Sequence, residues 1–311
     1  MTSDESICRQ GRKLARLEEF GWNGFFEAHL NSDREEGCCP ARITLEHKQV
    51  FRVISEHGEL SAEIAGRLRH RASNRADLPA VGDWVVISAR PEEGRATIHE
   101  VLPRKSKFAR KVAGQKVREQ ILAANVDTVF LVTSLNNDFS LRRIERYLSV
   151  AWESGARPVI ILSKADLCDD VSQRIIEVES VAIGVQVHVT SAVTDQGLSE
   201  LTPYLGTGQT VALLGSSGVG KSTLINALIG AEVQKVSHIR QCDDRGRHTT
   251  TSRQLIVLPG GGLVLDTPGM RELQLWGGDE GIKETFDDIE SLAASCFFSD
   301  CRHQGEPHCA V

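Results

Sequence analysis

Gly215-Ser216-Ser217-Gly218-Val219-Gly220-Lys221-Ser222 lies between an apolar run, Thr210-Val211-Ala212-Leu213-Leu214, and a helix-forming run that opens at Thr223-Leu224-Ile225-Asn226-Ala227-Leu228. The octet satisfies G-x-x-x-x-G-K-[ST], and its flanks supply the strand-then-helix context that the motif requires. Its glycines let successive backbone N–H groups converge on phosphate oxygens, and the helix start adds its positive end. Lys221 is expected to reach the β- and γ-phosphates and Ser222 to hold Mg²⁺, with Thr223 beside it on the first helical turn. The stretch therefore predicts a nucleotide-phosphate site at a strand end of an α/β sheet.

Working downstream, Leu263-Val264-Leu265-Asp266-Thr267-Pro268-Gly269 puts an aspartate at the end of an apolar strand, where a second contact to Mg²⁺ belongs, and a glycine whose N–H can meet the γ-phosphate. D-x-x-G alone is a weak signal; at this distance from a phosphate loop it is a strong one. Between the two lies Arg245-Gly246-Arg247-His248-Thr249-Thr250-Thr251, a polar loop suited to a mobile switch in which Thr250 completes the magnesium shell. The position after the D-x-x-G motif, where Ras-type enzymes carry a water-orienting Gln, is Met270, which cannot hold a water. A lone loop histidine is ordinarily just solvated, but the place of His248 beside the threonines makes it the expected catalytic group, with Arg245 or Arg247 next in line.

Working upstream, Ser163-Lys164-Ala165-Asp166 follows the apolar run 158–162, and Thr190-Ser191-Ala192 follows the run 185–189. Carboxyl ends of strands are where doubly wound sheets bind ligands. A carboxylate at Asp166 can accept from both N1–H and N2–H₂ of guanine, donors that adenine lacks, while Lys164 lays its stem along the base and Ser191 and Ala192 approach the base edge. The expected ligands are therefore GTP and GDP. The order of these parts is the unusual feature, because the base-reading stretch precedes the phosphate loop by about fifty residues.

Around this core, residues 127–133, 158–162, 185–189, 209–214, 254–258 and 262–265 read as strands, and 141–154, 171–182, 198–205 and 221–229 as helices, the alternation of a mainly parallel sheet. Residues 41–102 instead hold five short β-type runs separated by Gly-bearing turns, which suits a small closed barrel, OB-fold or SH3-like. Residues 13–20 read as one helix closed by Gly21. The whole chain has 311 residues and net charge −6, which does not suggest a nucleic-acid partner. Local charge does: Arg104, Lys105, Lys107, Arg110, Lys111, Lys116 and Arg118 form a run without an acid, and Arg67, Arg69, Arg71 and Arg75 a second cluster. No apolar run approaches membrane-spanning length and the N-terminus is polar and acidic, so no membrane association and a cytoplasmic location are expected.

Eight cysteines in a cytosolic chain read as thiols or metal ligands. Cys296, Cys301, His303 and Cys309 supply three thiols and an imidazole within fourteen residues, the donor set of a closed structural zinc site, one per chain. His308 is a neighbouring decoy, and the remaining cysteines read as small buried hydrophobes.

Taken in this order, the phosphate loop, the Gly246-Arg247-His248-Thr249-Thr250-Thr251 loop, Asp266-Thr267-Pro268-Gly269 and the terminal Cys/His cluster resemble the circularly permuted GTPases, specifically the small-ribosomal-subunit-dependent GTPase A family. The resemblance covers residues from about 40 to the end. After the lead of one helix (1–38), it implies an α/β fold with an N-terminal all-β OB-fold barrel that binds RNA (39–112), a circularly permuted P-loop GTPase domain (113–282) and a small C-terminal zinc module (283–311). It also implies a monomer that hydrolyses GTP on the small ribosomal subunit and its rRNA, and it matches His303 and His248 to the family's zinc ligand and candidate catalyst. Ser163 departs from the family, which more often has Asn there, and relatives usually continue past the last cysteine into a helical arm. A nucleotide-holding RNA-binding adaptor without catalysis and a P-loop ATPase are the alternative readings.

Overall fold

A computed structural model of the chain describes residues 16–30, 37–47, 50–112, 118–230 and 253–266. Of the helix expected at 13–20, the described part is a single 3₁₀ turn, Leu17–Phe20, ended by Gly21 in the left-handed region. A short helix α1 (Gly24–Ala28) follows, with the Asn23 side chain accepting from the Phe25 N–H. This lead is less polar than its composition suggests, because Trp22 and Phe26 pack on buried Trp84 with ring centroids 4.8 and 5.7 Å apart.

Strands β1 (Cys38–His47), β2 (Val50–Ser55) and β3 (Gly58–Ile64), helix α2 (Gly66–Arg71), and strands β4 (Trp84–Arg90) and β5 (Arg95–Val101) build the barrel. β1 pairs with β2, β2 with β3, β3 with β5, β5 with β4, and β4 with the first half of β1, closing the ring. That closure, with a helix between β3 and β4, is the OB-fold arrangement and decides against the SH3-like alternative. Period-two alternation carries it: Phe51 and Val53 on β2, and Leu60 and Ala62 on β3, point inward and are buried.

The basic run, for which the sequence suggests no strand, lies in a ribbon, β6 (Lys107–Val112) paired antiparallel with β7 (Arg118–Ala124), and it spans the domain boundary expected at 112/113. Phe108 and Ile121 are buried beneath it.

The rest alternates strand and helix: β8 (Thr128–Ser134), α3 (Leu141–Ser154), β9 (Arg157–Ser163), α4 (Val171–Val181), β10 (Gln186–Val189), β11 (Thr210–Leu214), α5 (Lys221–Ile229), β12 (Arg253–Val257) and β13 (Leu263–Asp266). Of residues 198–205, expected as a helix, Leu198–Tyr204 form a 3₁₀ segment with Pro203 inside it, whose ring cannot donate to an α-helical ladder. The sheet order is β10-β9-β8-β11-β13-β12, parallel except that β12 runs antiparallel to β13. The chain proceeds outward from β8 to β10, then restarts at β11 and proceeds the other way, so loops at the carboxyl ends of β8 and β11 diverge and leave a crevice. Phe130, Val132, Val159, Ile161, Val211 and Leu213 form the core beneath that edge, with Leu224 and Ile225 of α5 packed on it.

Barrel and nucleotide sheet are continuous. Leu45 and Glu46 of β1 pair with Gln254 and Arg253 of β12, and Arg253 Nη1 lies 3.0 Å from Glu46 Oε2. Arg42, 1% exposed, donates to Phe20 O, Gly82 O and Asn125 O, tying the lead, a barrel turn and the entry to β8 together; burial pulls its pKa down to about 10. No helix of the described residues is long and apolar enough to cross a membrane.

Candidate active site

The phosphate loop leaves β11 at the crevice. Gly215 passes so close to β8 that a Cβ there would stand 2.4 Å from Val132 O, so only glycine fits. Val219 is buried at 1% exposure and anchors the loop in the core, and Leu224 N donates to Gly220 O as α5 begins. Lys221 Nζ lies inside the loop, donating to Gly215 O (2.6 Å) and Ser216 O (2.5 Å). Ser222 and Thr223 are exposed on the first turn of α5. β13 runs parallel beside β11 and ends at Asp266, so Asp266 and Ser222 belong to the same edge, as a shared magnesium ion requires.

The base-reading stretch follows β9 and touches the same loop. Ser163 Oγ donates to Val219 O (2.6 Å) and lies 3.2 Å from Thr133 O. The serine that stands where relatives more often have Asn thus keeps a brace on the phosphate loop through its one hydroxyl proton. Lys164 adopts left-handed backbone angles (φ 59) and its Nζ donates to Gly218 O at 2.7 Å, drawing its stem across the crevice. Ala165 is buried and its N–H donates to Thr190 O, which fastens this turn to the loop after β10. Asp166 stands exposed next door, its Oδ1 accepting from Ser191 Oγ at 2.5 Å, with Ala192 half-buried beside it. Each carboxylate oxygen has two acceptor sites, so this bond fixes the Asp166 rotamer and leaves room for two guanine donors.

Sequence reasoning missed a third contact. The loop after β8 places Asp138 beside Ser216, whose Oγ donates to Asp138 Oδ2 (2.9 Å) and accepts from Arg143 Nη1 (3.1 Å). Arg143 also grips both carboxylate oxygens of Asp138, at 2.7 and 3.1 Å. Hydrogen bonds from Arg143, then Ser216, hold the Asp138 carboxyl below its ordinary range. The one available signal was position: 136–138 directly follow a strand ending at the same sheet edge.

His248, Thr250, Gly269, Cys296, Cys301, His303 and Cys309 lie outside the described residues. Among the described residues, a different trio, Cys39, Glu56 and His57, brings its potential ligand atoms within 4.8 Å of one another. The basic run needs correction at its start. Arg104 does not face a partner; it is 14% exposed and forms a two-pronged ion pair with fully buried Asp83 at 2.7 Å, because a carboxylate inside the barrel requires a counter-charge. Lys105 likewise lies over the rings of Phe25 and Phe26. Of the second basic cluster, Arg69 and Arg75 line a groove of about 220 Å³ together with Glu46 of β1 and Gln120 and Ile121 of the ribbon.

Against known proteins, the RsgA GTPase family profile matches residues 101–276. The chain is 50% identical over 304 residues to a protein of Opitutus terrae called small ribosomal subunit biogenesis GTPase RsgA, covering 95% of this chain and 83% of that one. It is 45% identical over 292 residues to a Methanosarcina acetivorans protein of the same name, covering 94% and 78%. Among solved structures, YjeQ from Thermotoga maritima matches with a TM-score of 0.60 at 29% identity over 88% of this chain and 89% of that one. YloQ, described as a circularly permuted GTPase, matches with a TM-score of 0.56 at 26% identity over 90% and 89%.

Proposed function

Because the chain belongs to the RsgA GTPase family, we propose that it hydrolyses GTP on the small ribosomal subunit and thereby times a late step of that subunit's maturation. It is a GTPase of ribosome biogenesis with a permuted P-loop domain and an OB-fold barrel. The observation that carries the nucleotide chemistry is the convergence of Ser163 and Lys164 on the carbonyls of Val219 and Gly218, which sets the base-reading turn and the phosphate loop at one crevice. Asp166 accepts from the guanine edge, the loop N–H groups and Lys221 receive the phosphates, and crossing the crevice orients the triphosphate. Magnesium held by Ser222 and Asp266, with Thr250, would neutralise charge developing on the phosphates.

In this reading His248 orients the attacking water, since Met270 has no group to do so, and rRNA docks along the groove between α2 and the ribbon. The family likeness and the local charge support both. The chain acts as a monomer in the cytoplasm, and Cys296, Cys301, His303 and Cys309 hold one zinc, as that donor set suits. The domain limits are those the family likeness implies, 39–112 for the barrel, 113–282 for the GTPase domain and 283–311 for the zinc module, with the ribbon bridging the first two.

The deciding experiment is GTP turnover with no addition, with purified small subunits and with large subunits. Stimulation by the small subunit alone is expected; equal rates in all three overturn the reading. His248→Ala should lower stimulated kcat by roughly 10²-fold with GTP affinity nearly unchanged; full stimulation of the variant moves the role to Arg245 or Arg247.

A further inference from the structure

The nucleotide loop is braced twice by the base-reading turn, through Ser163 and Lys164, and both braces grip its later half, at Val219 and Gly218. Its leading half is gripped from the other side. Asp138, Arg143 and Ser216 form a closed triangle in which every pair is hydrogen-bonded: Ser216 to Asp138, Arg143 to Ser216, and Arg143 to both carboxylate oxygens. Arg143 also donates to Asp138 O at 3.1 Å, and Asn136 Oδ1 accepts from Asp138 N and Ser134 Oγ, so the turn carrying the carboxylate is itself held. Arg143 is rooted in the first turn of α3, whose Ile144 and Leu148 are buried in the core.

We infer that Asp138 and Arg143 are positioning residues for the nucleotide: an ion-paired latch that acts through the Ser216 hydroxyl to fix the leading half of the phosphate loop. Physical reasoning gives it a specific job. Ser216 immediately precedes the pair Ser217-Gly218, whose backbone N–H groups belong to the phosphate cradle. A serine hydroxyl without partners leaves that backbone free to rotate; held by a charge on each side, it is confined to one orientation. The latch is half-exposed, with side-chain exposures of 23% for Arg143 and 44% for Asp138, so salt weakens it. Nucleotide release should therefore quicken with ionic strength through this triangle.

The inference rests on the GTPase reading for its substrate, and its test is read on GDP release, which needs no ribosome. Ser216→Ala, Asp138→Asn and Arg143→Ala should each speed dissociation of a fluorescent GDP roughly tenfold, the scale of losing one charge-assisted hydrogen bond. KM for GTP should rise in step while kcat changes by less than about threefold, since the latch holds bound nucleotide and not the attacking water. The signature that a general structural defect lacks is non-additivity: Asp138→Asn combined with Ser216→Ala should be no faster than the worse single variant. Arg143→Lys should restore part of the effect, keeping the charge without the fork. Release should depend on salt in the wild type and much less in Asp138→Asn. If the Arg143 variants do not fold, the Asp138→Asn and Ser216→Ala cycle decides alone, as both changes are small. Additive effects, or wild-type release rates in Asp138→Asn, overturn the latch. Wild-type turnover that ignores small subunits would overturn the function proposed above and leave the release cycle untouched.

Discussion

Single hydroxyls and carboxylates carry much of this site. Ser163 places one proton between strand β9 and the buried carbonyl of Val219. Ser163→Ala leaves that carbonyl without the donor, and GTP affinity measured by titration should fall roughly tenfold, in proportion to a buried hydrogen bond lost. Ser163→Asn should bind at least as well as wild type, because the amide reaches the same carbonyl; weaker binding would mean that the space was shaped for serine. At Asp166 the prediction concerns identity of the base. Asp166→Asn exchanges an acceptor for a donor, so competition binding should shift toward xanthosine triphosphate, whose O2 replaces the guanine amine. Ser191 can keep donating to the amide oxygen of the variant, which leaves its NH2 for the base. Unchanged GTP preference would remove Asp166 from the base site.

At the scale of elements, the ribbon β6–β7 separates two kinds of positive charge that sequence alone does not distinguish. Arg104 precedes it and neutralises Asp83, while Lys111 lies near the end of β6 and Arg118 opens β7. Arg104→Ala should cost about 3–5 kcal/mol of stability in denaturant titration, as an unpaired buried carboxylate does. Reversing Lys111, Lys116 and Arg118 to Glu should instead leave the midpoint unchanged and weaken subunit binding steeply, with a shallower dependence on salt. Equal subunit binding at low salt would detach the ribbon from RNA contact. The sequence concealed the ribbon because Arg118-Glu119-Gln120-Ile121-Leu122-Ala123-Ala124 is built of helix formers, and only tertiary burial of Phe108 and Ile121 makes it a strand. By contrast α3 and α5 were legible to the residue, since Ser140 caps one, Gly155 ends it, and the phosphate loop opens the other. The phosphate loop and both base-side turns were legible for the same reason, each being tied to a strand end by local spacing. The Asp138–Arg143–Ser216 triangle was not, because Ser216 lies 73 and 78 residues from Arg143 and Asp138 across a permuted topology.

At the scale of the whole molecule, the zinc proposed at Cys296, Cys301, His303 and Cys309 predicts about one equivalent of metal in protein purified without chelator. Structural sites of this type bind with roughly 10–16 kcal/mol, so less than half an equivalent would tell against it. Chelation should unfold the region around those ligands while GDP binding persists. The joint between barrel and nucleotide sheet has a consequence for solubility. Among the described residues the eleven strands run from β10 to a barrel that closes on itself through β1 and β4, so one side of the assembly ends in a ring. β12, which in an open sheet would present a free rim of N–H and C=O groups, is instead met by β1 at Leu45 and Glu46. Among the described residues the opposite rim of this sheet is β10, four residues long, too short to template another chain's strand. Crowded against its own copies, this sheet offers them little open backbone at its β10 end to zip onto.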